Sequence, residues 1–373
     1  MDGKSSRVSK KQKAASGAIP QSHQASTLHK HLQQQQDFVT CKDTLNYNVS
    51  TADSAQLFSA LGIENSWSFK KFKKDFKVVV NWVRGMDMEF ELIGSNAAIA
   101  NALRRILIAE VPTMAIEHVY IINNTSIIAD EVLSHRLGLV PVRVDPDLFE
   151  CKQGSEKSTE KTTAVFKLDV RCSWQPDATM AHEKVMSGDL RWLPGGSEMP
   201  EETTCHFEAD QGSVVGPEGV ALVHKDILLA KMRPGQAVCL EAHCMKGTGA
   251  EHAKWSPVAT AWYRLQPEVV LLKEVEGEEA DALAGELPGL VMVQGSGGDR
   301  KAVVTDARQH EKLLEKVRQM SGEEAWRGCI ELRKRKDHFI YTVESTGVLR
   351  PEQLCSRALD ILAAKCDKLL EHL

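Results

Sequence analysis

The sequence predicts an α+β fold, and three patterns carry the prediction. Apolar residues recur at helical spacing near 99–107 and again near 354–369. Short runs alternate apolar and polar residues, as at Met86–Leu92 and Phe166–Val170. Gly- and Pro-rich punctuation, such as Pro194-Gly-Gly196 and Pro217, separates the short elements between them. A chain of 373 residues is long enough for roughly two to three domains. No internal repeat is present.

The elements follow in chain order. Residues 1–75 are expected to form a disordered or partner-draped extension, because residues 1 to about 65 are polar, include Gln33-Gln-Gln-Gln36 and lack apolar periodicity. Lys70, Lys71, Lys73, Lys74 and Lys77 then interleave with Phe69, Phe72 and Phe76. That cluster reads as a solvated face beside aromatic anchors, with a nucleic-acid contact or nuclear import signal as the alternative. Val78 and Val80 begin a strand, Arg84-Gly85 turns the chain, and Met86 to Leu92 returns as a half-buried strand. Ser95 is expected to cap a helix carrying Ile99, Ala102, Leu103, Ile106 and Leu107, which Pro112 ends.

Ile116 to Ile122 favours a strand, and Asp130 to Arg136 a helix with Gly138 as its C-terminal cap. Two further strands are expected around Phe166–Val170 and Val238–Ala242. Glu274 to Glu286 reads as an exposed acidic linker. Thr305 is expected to cap a helix carrying Ala307, His310, Leu314, Val317 and Met320, closed by Gly322. Ile330–Leu332 and Phe339–Val343 read as a hairpin across Lys334 to Asp337. Pro351 opens a last helix whose apolar stripe is Leu354, Ala358, Ile361, Leu362 and Leu369.

Composition narrows the function. A net charge of −5 argues against a protein whose whole surface clamps DNA, and 6% aromatics argue against a stacking platform for single strands. The nine cysteines include no Cys-x-x-Cys pair, which fits reduced thiols in a nuclear or cytosolic compartment. No apolar run reaches the ~18 residues of a membrane span, so no membrane partner is expected. The N-terminus lacks a secretory signal, and the Asn-x-Ser/Thr triplets at Asn48, Asn123 and Asn124 read as chance. Catalytic patterns are missing. No His-Glu-x-x-His helix, phosphate-binding loop or Gly-x-Ser-x-Gly elbow occurs; Gly295-Ser-Gly-Gly298 reads as a flexible turn. No Asp-x-Asp triad that could hold two Mg²⁺ ions is seen. His135 beside Arg136 at a helix end reads as an interface or structural pair.

The densest signal lies between Phe90 and Pro141. It comprises Asn101-Ala-Leu-Arg-Arg105, Val111-Pro-Thr-Met-Ala-Ile116, Asn123-Asn-Thr-Ser126 and His135-Arg-Leu-Gly-Leu139. Together these resemble the alpha-like assembly subunits of DNA-directed RNA polymerases. A second block, His252-Ala-Lys-Trp-Ser-Pro-Val-Ala-Thr-Ala-Trp-Tyr-Arg264, resembles the subclass shared by eukaryotic RNA polymerases I and III. A third is Phe339-Ile-Tyr-Thr-Val-Glu-Ser-Thr-Gly347.

The resemblance implies a discontinuous dimerisation domain from residues 76–112 and 263–373, with residues 113–262 inserted as a strand-rich second domain. It implies a non-catalytic scaffold in the nucleus (nucleolus and nucleoplasm), serving transcription of ribosomal and small RNAs. The chain would pair with a smaller alpha-like subunit, dock the second-largest subunit, join the other subunits of polymerases I and III, and meet DNA only through the complex. RNA polymerase II and some archaeal relatives carry a cysteine cluster for zinc or an iron–sulfur centre. Here Cys151, Cys172, Cys205, Cys239 and Cys244 include no close pair, so no metal or cofactor is expected. The rival readings are that polymerase II or archaeal homologue and a free-standing nucleic-acid-binding regulator.

The residues expected at partner contacts are Ile99, Asn101, Leu103, Arg104, Arg105, Leu107, His135, Arg136, Leu354, Ala358, Ile361 and Leu362. The apolar ones would face a four-helix seam. Arg104 and Arg105 lie ~100° apart on a helix, so both cannot face it. By resemblance Arg105 reaches the second-largest subunit, His135 and Arg136 support that surface, and Asn101 bonds nearby backbone to hold the register.

Overall fold

The computed structural model describes residues 30–49, 68–152, 157–177, 179–199, 205, 207–215, 219–295 and 300–373. The α+β class holds. Helix α1 (Lys30–Asp37) leads into strands β1 (Phe38–Cys41) and β2 (Asn46–Tyr47). Helix α2 (Phe69–Asp75) precedes the hairpin of β3 (Lys77–Arg84) and β4 (Asp87–Ile93), turned at Gly85 with φ +60°. Only glycine takes that angle at little cost. Helix α3 (Ala97–Ala109) follows. Next come β5 (Thr113–Asn124), α4 (Asp130–Gly138), β6 (Val142–Arg143), β7 (Thr163–Arg171), β8 (Ser173–Trp174) and β9 (Met180–Ala181). The succession continues through β10 (Lys184–Met186), β11 (Arg191–Leu193), α5 (Gly212–Val215), β12 (Ala221–Leu222), β13 (Leu228–Lys231) and β14 (Ala237–Gly247). The chain returns along β15 (Val258–Leu271) and then forms α6 (Gly277–Glu286), β16 (Val291–Gln294), β17 (Lys301–Val304) and α7 (Glu311–Met320). It ends with β18 (Ile330–Ser345) and α8 (Pro351–Glu371).

Two larger sheets organise these elements. A six-stranded sheet runs β2-β1-β18-β4-β3, with β15 on the other side of β18. A four-stranded sheet runs β11-β7-β14-β5. The long β18 is the spine of the first. Its first part pairs with β1 and its second with β4, while β15 accompanies both.

Three large apolar cores result. One lies between α3, α8 and the sheet, joining Leu103, Ile106, Leu107, Leu354 and Ala358 to Phe90, Phe339 and Tyr341. Fully burying a leucine or isoleucine side chain contributes roughly 1.5–3 kcal/mol, so this face docks without any partner. Tyr341 is fully buried, stacks on Phe90 at 4.9 Å and donates its hydroxyl to the Ala100 carbonyl, which sets α3 on the sheet. A second core fills the four-stranded sheet's inner face, with Leu133 and Leu137 of α4 against Phe166, Leu168, Leu240 and Cys244. The third gathers Val39, Leu332 and Val269 with Leu283 of α6 and Val317 of α7.

Several local expectations are corrected. Residues 30–47 are part of the fold: Phe38–Cys41 pairs with Arg335–Leu332, because Val39 and Cys41 alternate inward. Residues 1–29 and 50–67 lie outside the described residues. Asn96, not Ser95, caps α3, its side chain accepting from the Ile99 amide at 3.0 Å, while Ser95 is buried. Gly138 sits inside α4, with Leu139 at the cap. The acidic stretch 274–286 contains α6, because Ala280 and Leu283, one helical turn apart, are fully buried. Thr305 donates to the Gly289 and Leu290 carbonyls instead of capping a helix, and Asp306 caps the short 3-10 turn before α7. The stretch Ile330–Ser345 is one strand rather than a hairpin, since β15 pairs with one edge on both sides of Arg335–His338, and β1 and β4 pair in turn with the other edge. Ser296 to Gly298 of the expected glycine turn, and Pro217, fall outside the described residues.

The strand β4 is not half-buried. Met88, Phe90 and Leu92 face the core, but Glu89 and Glu91 on the other face are each only 8% exposed. Arg308 reaches both carboxylates through its two terminal nitrogens. His338 Nε2 lies 2.6 Å from Glu91, and Arg264 lies 2.8 Å from Glu311 and 3.6 Å from Glu89. Burial alone would raise the Glu91 carboxyl; hydrogen bonds from His338 and Arg308 outweigh it and hold the group below its ordinary value.

Candidate subunit interface

The two helices on the first core present different amounts of surface. On α3, Ala100, Leu103, Ile106 and Leu107 point inward, which leaves Arg105 exposed and Ile99 half-buried. On α8, Leu354 and Ala358 are fully buried, and Ile361 and Leu362 are half-buried against the same core. Every residue from Ala363 onward is exposed. That half of the helix carries Leu369 and Leu370 at 65% and 68% exposure, and Leu359 lies at 53%. Lys365 Nζ bonds both carboxylate oxygens of Glu110, at 2.7 and 2.8 Å, tying the outer half of α8 to the end of α3.

The expected seam residues therefore divide. Leu103, Leu107, Leu354 and Ala358 are enclosed by the chain's own sheet and helices, so their apolar area is already buried. Leu359, Leu369 and Leu370 are the apolar groups left outside. Of these only Leu369 belongs to the stripe that the sequence predicts, because helical spacing identifies a face but not where along the helix the underlying core ends.

The arginines separate as their spacing requires. Arg104 turns back on its own helix, donating from Nε at 3.2 Å and Nη2 at 2.8 Å to Asn101 Oδ1. Asn101 thus binds a guanidinium rather than backbone, because Arg104 lies one helical turn away on the same face. Arg136 is likewise engaged within the chain. Its Nε donates to the Leu229 carbonyl at 3.1 Å and its Nη2 to the Leu228 carbonyl, tying α4 to β13. Arg105 has no hydrogen bond or ion pair with His135 or Arg136 among the described residues.

His135 is exposed and lines an open cleft with His118, Tyr120, His252 and Lys254. A neighbouring cleft is lined by Ile108 at the end of α3, Leu139 after α4, and Trp262. The segment 252–264 forms walls of both. It is anchored by Trp255, whose indole donates to the Met245 carbonyl at 3.0 Å and whose carbonyl accepts from the Thr113 hydroxyl at 2.6 Å. Gly247 makes room for that indole: a Cβ there would lie 2.5 Å from its ring. The sequence marks these segments but not their meeting, which the pairing of β5 with β14 brings about.

The cysteines of this region are dispersed. Cys172, Cys205 and Cys244 are buried, and burial pushes the Cys205 thiol up to about 11. Among the described residues no three His, Cys, Asp or Glu side chains converge as a metal site.

A sheet that carries two helices on one face, with an apolar helix end left outside, defines a subunit built to pair. The chain belongs to the RNA polymerase Rpb3/Rpb11 dimerisation domain family, whose model matches residues 89–366. It is 43% identical over 338 residues to the DNA-directed RNA polymerases I and III subunit RPAC1 of Homo sapiens, covering 87% of this chain and 92% of that protein. Identity to the corresponding Saccharomyces cerevisiae subunit is 39% over 319 residues, with 82% and 90% covered. Against the RNA polymerase II subunit rpb3 of Dictyostelium discoideum it is 27% over 283 residues, with 74% and 87% covered. The chain is thus an alpha-like polymerase assembly subunit, and its likeness is to the form shared by polymerases I and III.

Proposed function

We propose that this chain is the non-catalytic scaffold common to nuclear RNA polymerases I and III, serving transcription of ribosomal and small RNAs. It pairs with a smaller alpha-like subunit along the outer side of α8 and the adjoining end of α3, and the pair docks the second-largest subunit. Residues 76–112 and 263–373 act as the dimerisation unit and 113–262 as an insert. Catalysis resides in other subunits, and DNA is met through the complex. The observation that carries the reading is the outer half of α8, whose exposed Leu369 and Leu370 extend beyond the core. Exposed apolar side chains at a helix end offer area that a protein contact can bury.

Co-expression tests the pairing. The chain made alone should aggregate, and the small alpha-like subunit should restore solubility. A well-behaved monomer at micromolar concentration would count against it. Docking is tested at Arg105, which is exposed and whose planar fork suits a carboxylate. Arg105→Ala should leave the heterodimer intact and weaken capture of the second-largest subunit by ~30-fold, the loss typical of a charge-assisted interface contact. Wild-type capture in a quantitative pull-down would remove Arg105 from that surface.

A further inference from the structure

Strand β3 closes one edge of the six-stranded sheet. It bonds β4 on one side, and among the described residues no strand bonds the other. Its sequence is Lys-Val-Val-Val-Asn-Trp-Val-Arg, and Val78, Val79, Val80 and Val83 are 54%, 43%, 52% and 47% exposed. Neighbouring side chains of a strand point to opposite faces, so this edge is apolar on both. Edge strands offer unpaired N–H and C=O groups and are commonly guarded by central charges, proline or shortness. Between Lys77 and Arg84 β3 has neither charge nor proline. Its one irregularity is a bulge at Asn81, whose side chain donates to Glu89 at 3.2 Å.

Charge gathers at the ends of this strand. Helix α2 brings the exposed Lys70, Lys71, Lys73 and Lys74 to its start. The helix end is held against Gly94, where a Cβ would lie 2.6 Å from the Asp75 carbonyl oxygen. Arg84 stands at the far end, over the Trp82 ring at 5.2 Å. An apolar centre thus lies between a lysine-rich start and Arg84, which stands opposite Asp87 in the register with β4.

We propose that the free edge of β3 is a strand-addition site for an extended segment of a partner polypeptide, apolar at its centre and acidic at its flanks. Main-chain hydrogen bonds would supply affinity, and the valines and lysines the choice of sequence. A second copy fits poorly, because antiparallel self-pairing sets Lys77 opposite Arg84 at both ends. Residues 1–29 also fit poorly, since they hold Lys4, Arg7, Lys10, Lys11 and Lys13 against Asp2 alone. The proposal does not depend on pairing through α8.

The test uses the full-length chain in its soluble assembly and the labelled peptide Glu-Glu-Val-Thr-Val-Thr-Val-Glu-Glu, followed by fluorescence anisotropy. A Lys-flanked peptide and an N-methylated acidic peptide serve as controls. Both controls should bind at least about tenfold more weakly, as should the acidic peptide to Val80→Glu or to the triple variant Lys70→Glu, Lys73→Glu, Lys74→Glu. Val80 is exposed, so that variant keeps its core; unchanged circular dichroism checks it. Equal binding of the acidic and N-methylated peptides, or no saturable binding, overturns the proposal. So does binding that appears only after Leu57, Phe58, Leu61 and Ile63 are changed to Ser, which would make residues 50–67 the occupant. Self-association abolished by Val80→Glu would make the occupant a second copy and would overturn the proposal as well. Failure of the α8 reading would instead show as retention of the small subunit when Leu370 is changed to Asp, with peptide binding intact.

Discussion

Leu103→Asp should prevent folding, with or without the small partner subunit. Leu103 is 3% exposed and packs with Ile106, Leu107 and Leu354 between α3, α8 and the sheet. Removing a buried leucine side chain to a small residue costs about 2–5 kcal/mol, and an unpaired carboxylate adds a desolvation penalty. The sum, roughly 5 kcal/mol or more, rivals the whole stability of a typical domain. Leu370→Asp is the contrasting change. Leu370 is 68% exposed, so the chain should keep its near-ultraviolet circular dichroism while losing the small subunit in a pull-down. A soluble, cooperatively melting Leu103→Asp protein would mean that this helix face is not core. Retention of the small subunit by Leu370→Asp would move the pairing surface elsewhere.

The second large effect is expected from Arg308→Ala. This guanidinium holds Glu89 and Glu91, which lie on the face of β4 away from the apolar core and are almost fully buried. Removing one partner of a buried ion pair costs about 3–5 kcal/mol. Glu91 keeps His338 and Glu89 keeps Arg264, so we expect about 3 kcal/mol, the lower end of that range. Acid should reveal the same network. The folded-state value of Glu91 lies below its ordinary one. Its stabilisation is therefore fully present above the ordinary carboxylate range and is lost as pH falls through the folded value. Glu331 acts alike: burial alone would raise it, but Lys42 at 2.8 Å and Arg333 at 2.6 Å hold it low. Melting temperature should stay level from neutral pH down to about 5 and fall below that, with a shallower acid fall in Arg308→Ala. An identical acid profile in both proteins would show that the network contributes no pH-dependent stability.

What the sequence determined by itself is local in origin. Helical spacing placed α3 and α8, alternation placed β4, β7 and β14, and the glycine after Arg84 placed the hairpin turn. The spacing of Arg104 and Arg105 required the two to part company. Three blocks in order, Phe90 to Pro141, His252 to Arg264 and Phe339 to Gly347, carried the family resemblance. Those signals need only a residue and its near neighbours, whose side chains must share a helix face or a sheet face.

Only the tertiary structure decided which apolar residues are core and which are surface. Leu103 and Leu369 both read as apolar helix positions, yet the core encloses one and ends before the other. It also decided the fate of the charges. Glu89 and Glu91 look like the solvent side of an alternating strand, and Arg308, 217 residues from Glu91, gives no local hint that it will meet them. Arg136 stands beside His135 in sequence but turns to β13, while His135 faces the cleft that segment 252–264 helps to wall. The acidic run at 274–286 hides a helix because Ala280 and Leu283 find a core contributed by β1, β15 and β18. Burial is a property of what packs on a residue, and in this chain the packing elements come from its opposite ends.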